Sequence, residues 1–102
     1  MAVTAEQFNK AFAEFQLFGP RRRISIQERW RDVLPDADSR EFDALEAQCK
    51  EIEAFALTLA EQVRDKATSD EAARRQLSQR YPILNTERLE HTWSQAVYFS
   101  LK

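Results

Sequence analysis

One cysteine, one glycine and three prolines in 102 residues leave little room for several fold classes. A lone cysteine, Cys49, excludes a disulfide framework within the chain and any zinc site built from cysteines. So few glycines and prolines argue against an all-β protein, whose many tight turns depend on them. No apolar run approaches the roughly 18 residues that a membrane span needs, so no span is expected. Near the start, Glu6, Lys10 and Glu14 stand where an export signal would require apolar residues, which points to a cytoplasmic protein. Gly19 stands alone, so there is no glycine-rich phosphate loop.

What the sequence does contain is helix grammar. Thr4 and Gln7 have capping-box spacing ahead of Phe8, Ala11, Phe12, Phe15 and Phe18, and Gly19-Pro20 would close that helix. Ser25 and Glu28 offer a second box for a short helix with Ile26, Trp30, Val33 and Leu34, stopped before Pro35. Asp38 and Glu41 can open a third helix over 39–66, which neither proline nor glycine interrupts. Its apolar positions Phe42, Leu45, Cys49, Ile52, Ala56, Leu59 and Val63 are spaced three and four apart in alternation, a heptad seam. Around its middle, residues 54–60 are apolar on nearly every side, which predicts that neighbours enclose them. Thr68 with Glu71 should cap a fourth helix ending near Tyr81 and Pro82. Asn85 should cap a fifth, whose buried stripe is Leu89, Trp93, Ala96, Val97 and Leu101, widened by Tyr98 and Phe99. The expected fold is all-α, one domain over 1–102, a small antiparallel bundle of four or five helices around the long third one. At 1.5 Å per residue that helix approaches 42 Å, long for a chain of this size. It should therefore protrude, kink or find cover, which suggests an end that self-associates or binds a partner.

Charge is uneven. Residues 21–35 carry a net +3 and residues 36–66 a net −5, within a total of −2. The plain expectation is that the basic segments pair with the acidic one inside the fold, because the chain is not basic overall. The acidic start of the third helix, with rim aromatics, is the expected partner-binding surface: Asp36, Asp38, Glu41, Asp43, Glu46, Trp30 and Tyr98. The alternative is a nucleic-acid or anionic-surface binder using Arg21, Arg22 and Arg23 with Arg74, Arg75 and Arg80. The fourth and fifth helices do not suit a helix-turn-helix, since Glu87 and Glu90 would face phosphates at the recognition end.

Catalysis is not expected. The single histidine, His91, lies four residues after Glu87 and reads as a surface helical pair. One histidine excludes a di-iron site of the Glu-x-x-His type, which needs two. Cys49 on the seam behaves as a small apolar group. No metal or cofactor is implied. The sequence therefore suggests a small protein-interaction module, an adaptor, inhibitor, immunity or regulatory protein, with self-association through the long helix as a further expectation.

Overall fold

The computed structural model describes residues 3–16 and 25–101. These hold five α-helices and, among the described residues, no strand: α1 (Ala5–Phe15), α2 (Ile26–Val33), α3 (Ser39–Arg64), α4 (Asp70–Arg80) and α5 (Thr86–Ser100). The protein is an all-α helical bundle. Two compact units divide it, Met1–Cys49 and Lys50–Lys102, and α3 contributes to each. The Phe18, Gly19-Pro20 and Arg21–Arg23 features lie outside the described residues.

Local rules set most helix starts. Thr4 forms the full reciprocal box, its Oγ1 accepting from the Gln7 amide at 3.1 Å while its own amide donates to Gln7 Oε1 at 3.0 Å. Asp38 and Glu41 repeat that exchange at the start of α3, and Asn85 Oδ1 accepts from the Arg88 amide at 2.8 Å. Each such bond satisfies a donor that the first turn of a helix leaves without an internal partner. Two expectations need correction. Ser25 holds the N-cap position of α2 but makes no side-chain cap bond. The cap of α4 is Ser69 rather than Thr68, its Oγ accepting from the Ala72 amide.

The downstream shift has a cause in how α3 ends. Lys66 adopts φ 63°, its amide bonds back to Val63, and the Ala67 amide reaches Gln62 at 2.8 Å. That bond pair around a left-handed residue is the Schellman stop, here with lysine where glycine is usual. α3 therefore ends at Arg64, two residues short of the expected limit, and Thr68 falls in the connector.

In the first unit the core is a file of rings. Phe8, Phe12, Phe15, Trp30 and Phe42 follow one another at centroid spacings between 5.9 and 6.4 Å. Trp30 is fully buried, and its indole Nε1 donates to the Ala11 carbonyl oxygen at 2.7 Å. A helical carbonyl has a second lone pair for such a bond. Arg29 is buried beside it, with Nη1 donating to the Glu14 carbonyl oxygen at 2.6 Å and lying 3.8 Å from the Glu14 carboxylate.

In the second unit α3 buries Ile52, Ala56, Leu59 and Ala60, α4 buries Ala73 and Leu77, and α5 buries Trp93 and Ala96. Polar ties fasten α4 to α5. Trp93 Nε1 donates to Asp70 Oδ1 at 2.8 Å, and Arg74 pairs with Glu90 and, at 3.8 Å, with Asp70. The heptad seam of α3 is thus buried from Phe42 to Leu59, and Val63 at its end is half-buried.

Two outcomes follow in chemical denaturation. Trp30→Ala should cost about 3–5 kcal/mol through the cavity it opens, and Trp30→Phe about 1–3 kcal/mol because the buried bond to Ala11 is lost. Lys66→Gly should instead raise stability by about 0.5–1 kcal/mol, since glycine takes positive φ without a Cβ penalty.

Candidate docking groove

Acidic and aromatic residues expected to bind a partner serve the fold to different degrees. Asp38 and Glu41 are spent on the α3 cap, and Asp43 accepts a bond from Gln27 Nε2 at 2.8 Å. Asp36 is exposed in the turn before α3, and Glu46 is half-buried on α3. Trp30 is a correction: it was expected at a rim and is sealed in the first unit's core. A short helix with charged neighbours hid this, because an indole enters a core only where an acceptor such as the Ala11 carbonyl waits for its N–H. Tyr98 is 58% exposed, and the buried stripe expected of α5 is corrected at its end, where Leu101 and Phe99 are exposed as well because α5 turns only its Trp93 and Ala96 side fully inward.

The arginines of the alternative surface are drawn into local pairs. Arg74 meets Asp70 and Glu90, and Arg75 meets Glu71 at 3.2 Å. Arg80 lies over the Phe55 and Tyr81 rings, at 5.0 and 5.6 Å, with Glu51 at 3.7 Å. Its hydrogen bond to the Tyr81 hydroxyl, helped by Glu51, raises its pKa above the ordinary guanidinium value. Arg80 alone of the three meets the acidic segment of α3; the other two use carboxylates of α4 and α5. Arg21, Arg22 and Arg23 lie outside the described residues.

His91 is exposed on α5. Among the described residues it forms no ion pair with Glu87, which takes Arg88 at 3.4 Å instead. Partial desolvation and the nearby Arg88 charge lower the His91 pKa below 6.5, against a weaker opposing pull from Glu87. Cys49 is fully buried, and no group of acidic, histidine or cysteine side chains among the described residues could hold a metal ion.

The second unit contains a concavity that the sequence did not reveal. A groove of about 240 Å³ runs between α3 and α5, walled by Ala54 and Leu57 on one side and by Ala96 and Phe99 on the other. Thr92 and Gln95 complete the α5 wall, and Glu53 is its one charged liner. Leu57 and Phe55 are half-buried, while Ala54 and Thr58 are exposed, so the all-round apolar stretch of α3 is only partly enclosed. The exposed large apolar side chains among the described residues are all at the end of α5: Tyr98, Phe99 at 46% and Leu101 at 71%, of which Phe99 lines the groove. The Tyr98 and Phe99 rings meet edge to face at 5.5 Å. The first unit has a shallower depression of about 290 Å³, but its walls combine Lys10 with Glu14, and Lys10 is already paired with Glu6 at 3.3 Å.

The signal for the groove was present as a surplus. Apolar residues on every side of 54–60, and Tyr98 and Phe99 beyond the α5 stripe, add up to more apolar surface than the unit's three helices can cover. No helix among the described residues is long and apolar enough to cross a membrane. No family model matches the chain, and neither a curated protein nor a solved structure matches it.

An NMR titration of His91 should give a midpoint below 6.5. A lowered folded-state pKa means that the unfolded chain binds more protons in the window beneath 6.5, so stability falls as pH drops through it. His91→Gln should remove that part of the pH dependence and leave the rest.

Proposed function

We propose that this chain is a small non-catalytic protein-interaction module, whose α3–α5 groove receives the apolar stripe of a helix from another protein molecule. One observation carries the reading: an apolar groove with a single charged liner is walled by the half-exposed Phe99, whose ring meets the exposed Tyr98. Tyr98 stands against Phe99 at 5.5 Å and extends that wall into solvent. A groove between two helices suits a third helix, which would set side chains spaced three and four apart into it. Aromatic side chains such as Tyr98 and Phe99 are the residue types that dominate interface energetics. On this reading the protein works in the cytoplasm, where a lone thiol such as Cys49 stays reduced. The acidic start of α3 is a secondary contributor, because Asp38, Glu41 and Asp43 are already engaged within the first unit. Surface binding of nucleic acid draws no support from Arg74, Arg75 and Arg80, each of which faces a carboxylate.

The test is to select amphipathic helical peptides by display against the full chain and titrate them into isotope-labelled protein. Amide shifts should centre on Ala54, Leu57, Gln95 and Phe99. Leu57→Asp should weaken binding about tenfold or more while retaining a cooperative melt, whereas Ser94→Asp on the exposed face of α5 should leave it unchanged. Shifts confined to residues 3–16 and 25–49, or failure to select any peptide, would defeat the reading.

A further inference from the structure

We infer that Arg64 is a positioning residue for the groove: it holds the last turn of α5, and with it the Phe99 wall, in the geometry that receives a helix; this rests on the docking reading above and names what keeps its site in shape. The last four carbonyls of a helix have no internal partner. In α5 the Val97 carbonyl accepts from Ser100 Oγ at 2.7 Å, and the Tyr98 carbonyl accepts from the Leu101 amide at 3.3 Å. The Ser100 carbonyl accepts from Arg64 Nη1 at 2.5 Å, a bond across 36 residues that ties the end of α5 to the end of α3.

Electrostatics favour the tie. The bond brings the C-terminal ends of α3 and α5 together, and each of those ends is the negative pole of a helix dipole. The last turn of α5 has no basic residue of its own, so Arg64, from the last turn of α3, supplies positive charge to both. Asp65 sets the angle of the guanidinium. Its two carboxylate oxygens accept from Nε at 3.2 Å and Nη2 at 3.5 Å, which leaves Nη1 to the Ser100 carbonyl. A charged donor makes a stronger bond than a neutral one.

The Phe99 wall depends on this bond more than the Leu57 wall does. Leu57 stands in the middle of α3, beside the buried Ala56 and Leu59. Phe99 stands in the final turn of α5, where helices fray most readily, and its half-exposed ring gives it little packing of its own. Between Ala96 and the end of α5, Ser100 is the buried position, and its carbonyl is the one that Arg64 takes. A groove with one fraying wall is competent only part of the time, and its apparent affinity falls by that fraction.

The experiment uses the full chain and an amphipathic helical peptide selected against it by display. Arg64→Gln should weaken that peptide about three- to tenfold. In the free variant the Cα shifts of Tyr98, Phe99 and Ser100 should move toward coil values, with those of Ala54 and Leu57 unchanged. Arg64→Lys keeps the charge and a donor, and should recover part of both losses. By reciprocity, peptide bound to Arg64→Gln should return the last-turn shifts toward helical values. Arg64 is exposed at a helix end, so both variants should keep a cooperative melt. An affinity loss with no change at the end of α5 overturns the inference, because Arg64 then touches the peptide itself. Frayed shifts with unchanged affinity also overturn it, because the wall then needs no fixing. Failure of every peptide to bind the unaltered chain is a separate result, which defeats the docking reading and this inference with it.

Discussion

Burial of the α3 seam is the constraint on which the rest depends. Alternating steps of three and four place Phe42, Leu45, Cys49, Ile52, Ala56 and Leu59 on one line along 26 uninterrupted helical residues. Every other helix must present something apolar to that line or to its flanks, since a helix of this kind gains most of its stability from the face it buries. In the first unit Phe42 takes Trp30, and Trp30 takes Phe15 in turn. In the second unit Phe55, beside the seam, takes Tyr81 edge-on, with the Arg80 guanidinium over both rings. The seam thus decides which residues of the flanking helices are core and which are left over.

What is left over is the candidate site. An α-helix that is apolar through more than half its circumference cannot be covered by two neighbours, each of which shields an arc. Residues 54–60 exceed what α4 and α5 cover, and α5 has its own excess in Tyr98, Phe99 and Leu101. Phe99 brings the second surplus to the first across the groove. The polar side is economical by comparison: arginines of α4 find carboxylates on their own helix, on α5 or on α3, and the carboxylates opening α3 are used in its cap.

The parts of this arrangement visible in the sequence are those fixed by short-range chemistry. Thr4 with Gln7, Asp38 with Glu41, and Asn85 act across three residues, so spacing alone identifies them. The seam is equally legible because periodicity is a property of one helix. Ser69 displaced Thr68 because a lysine accepted the left-handed position that ends α3, and nothing in residue type marks Lys66 for that duty. Trp30 was hidden for a tertiary reason, since its acceptor lies 19 residues away on α1. The apolar surplus behind the groove could be counted, but its place could not be read, for a related reason: periodicity tells which face is apolar, not how wide an arc the neighbours leave bare.

Cys49 is fully enclosed on the seam of α3 and is the chain's single cysteine. An alkylating reagent reaches that sulfur only while the surrounding side chains have parted, because the thiolate needs solvent to form and room to attack. The rate of labelling in the native protein therefore counts how often the middle of the longest helix breathes. The molecule carries its own clock for such openings, at a position where no label has to be introduced.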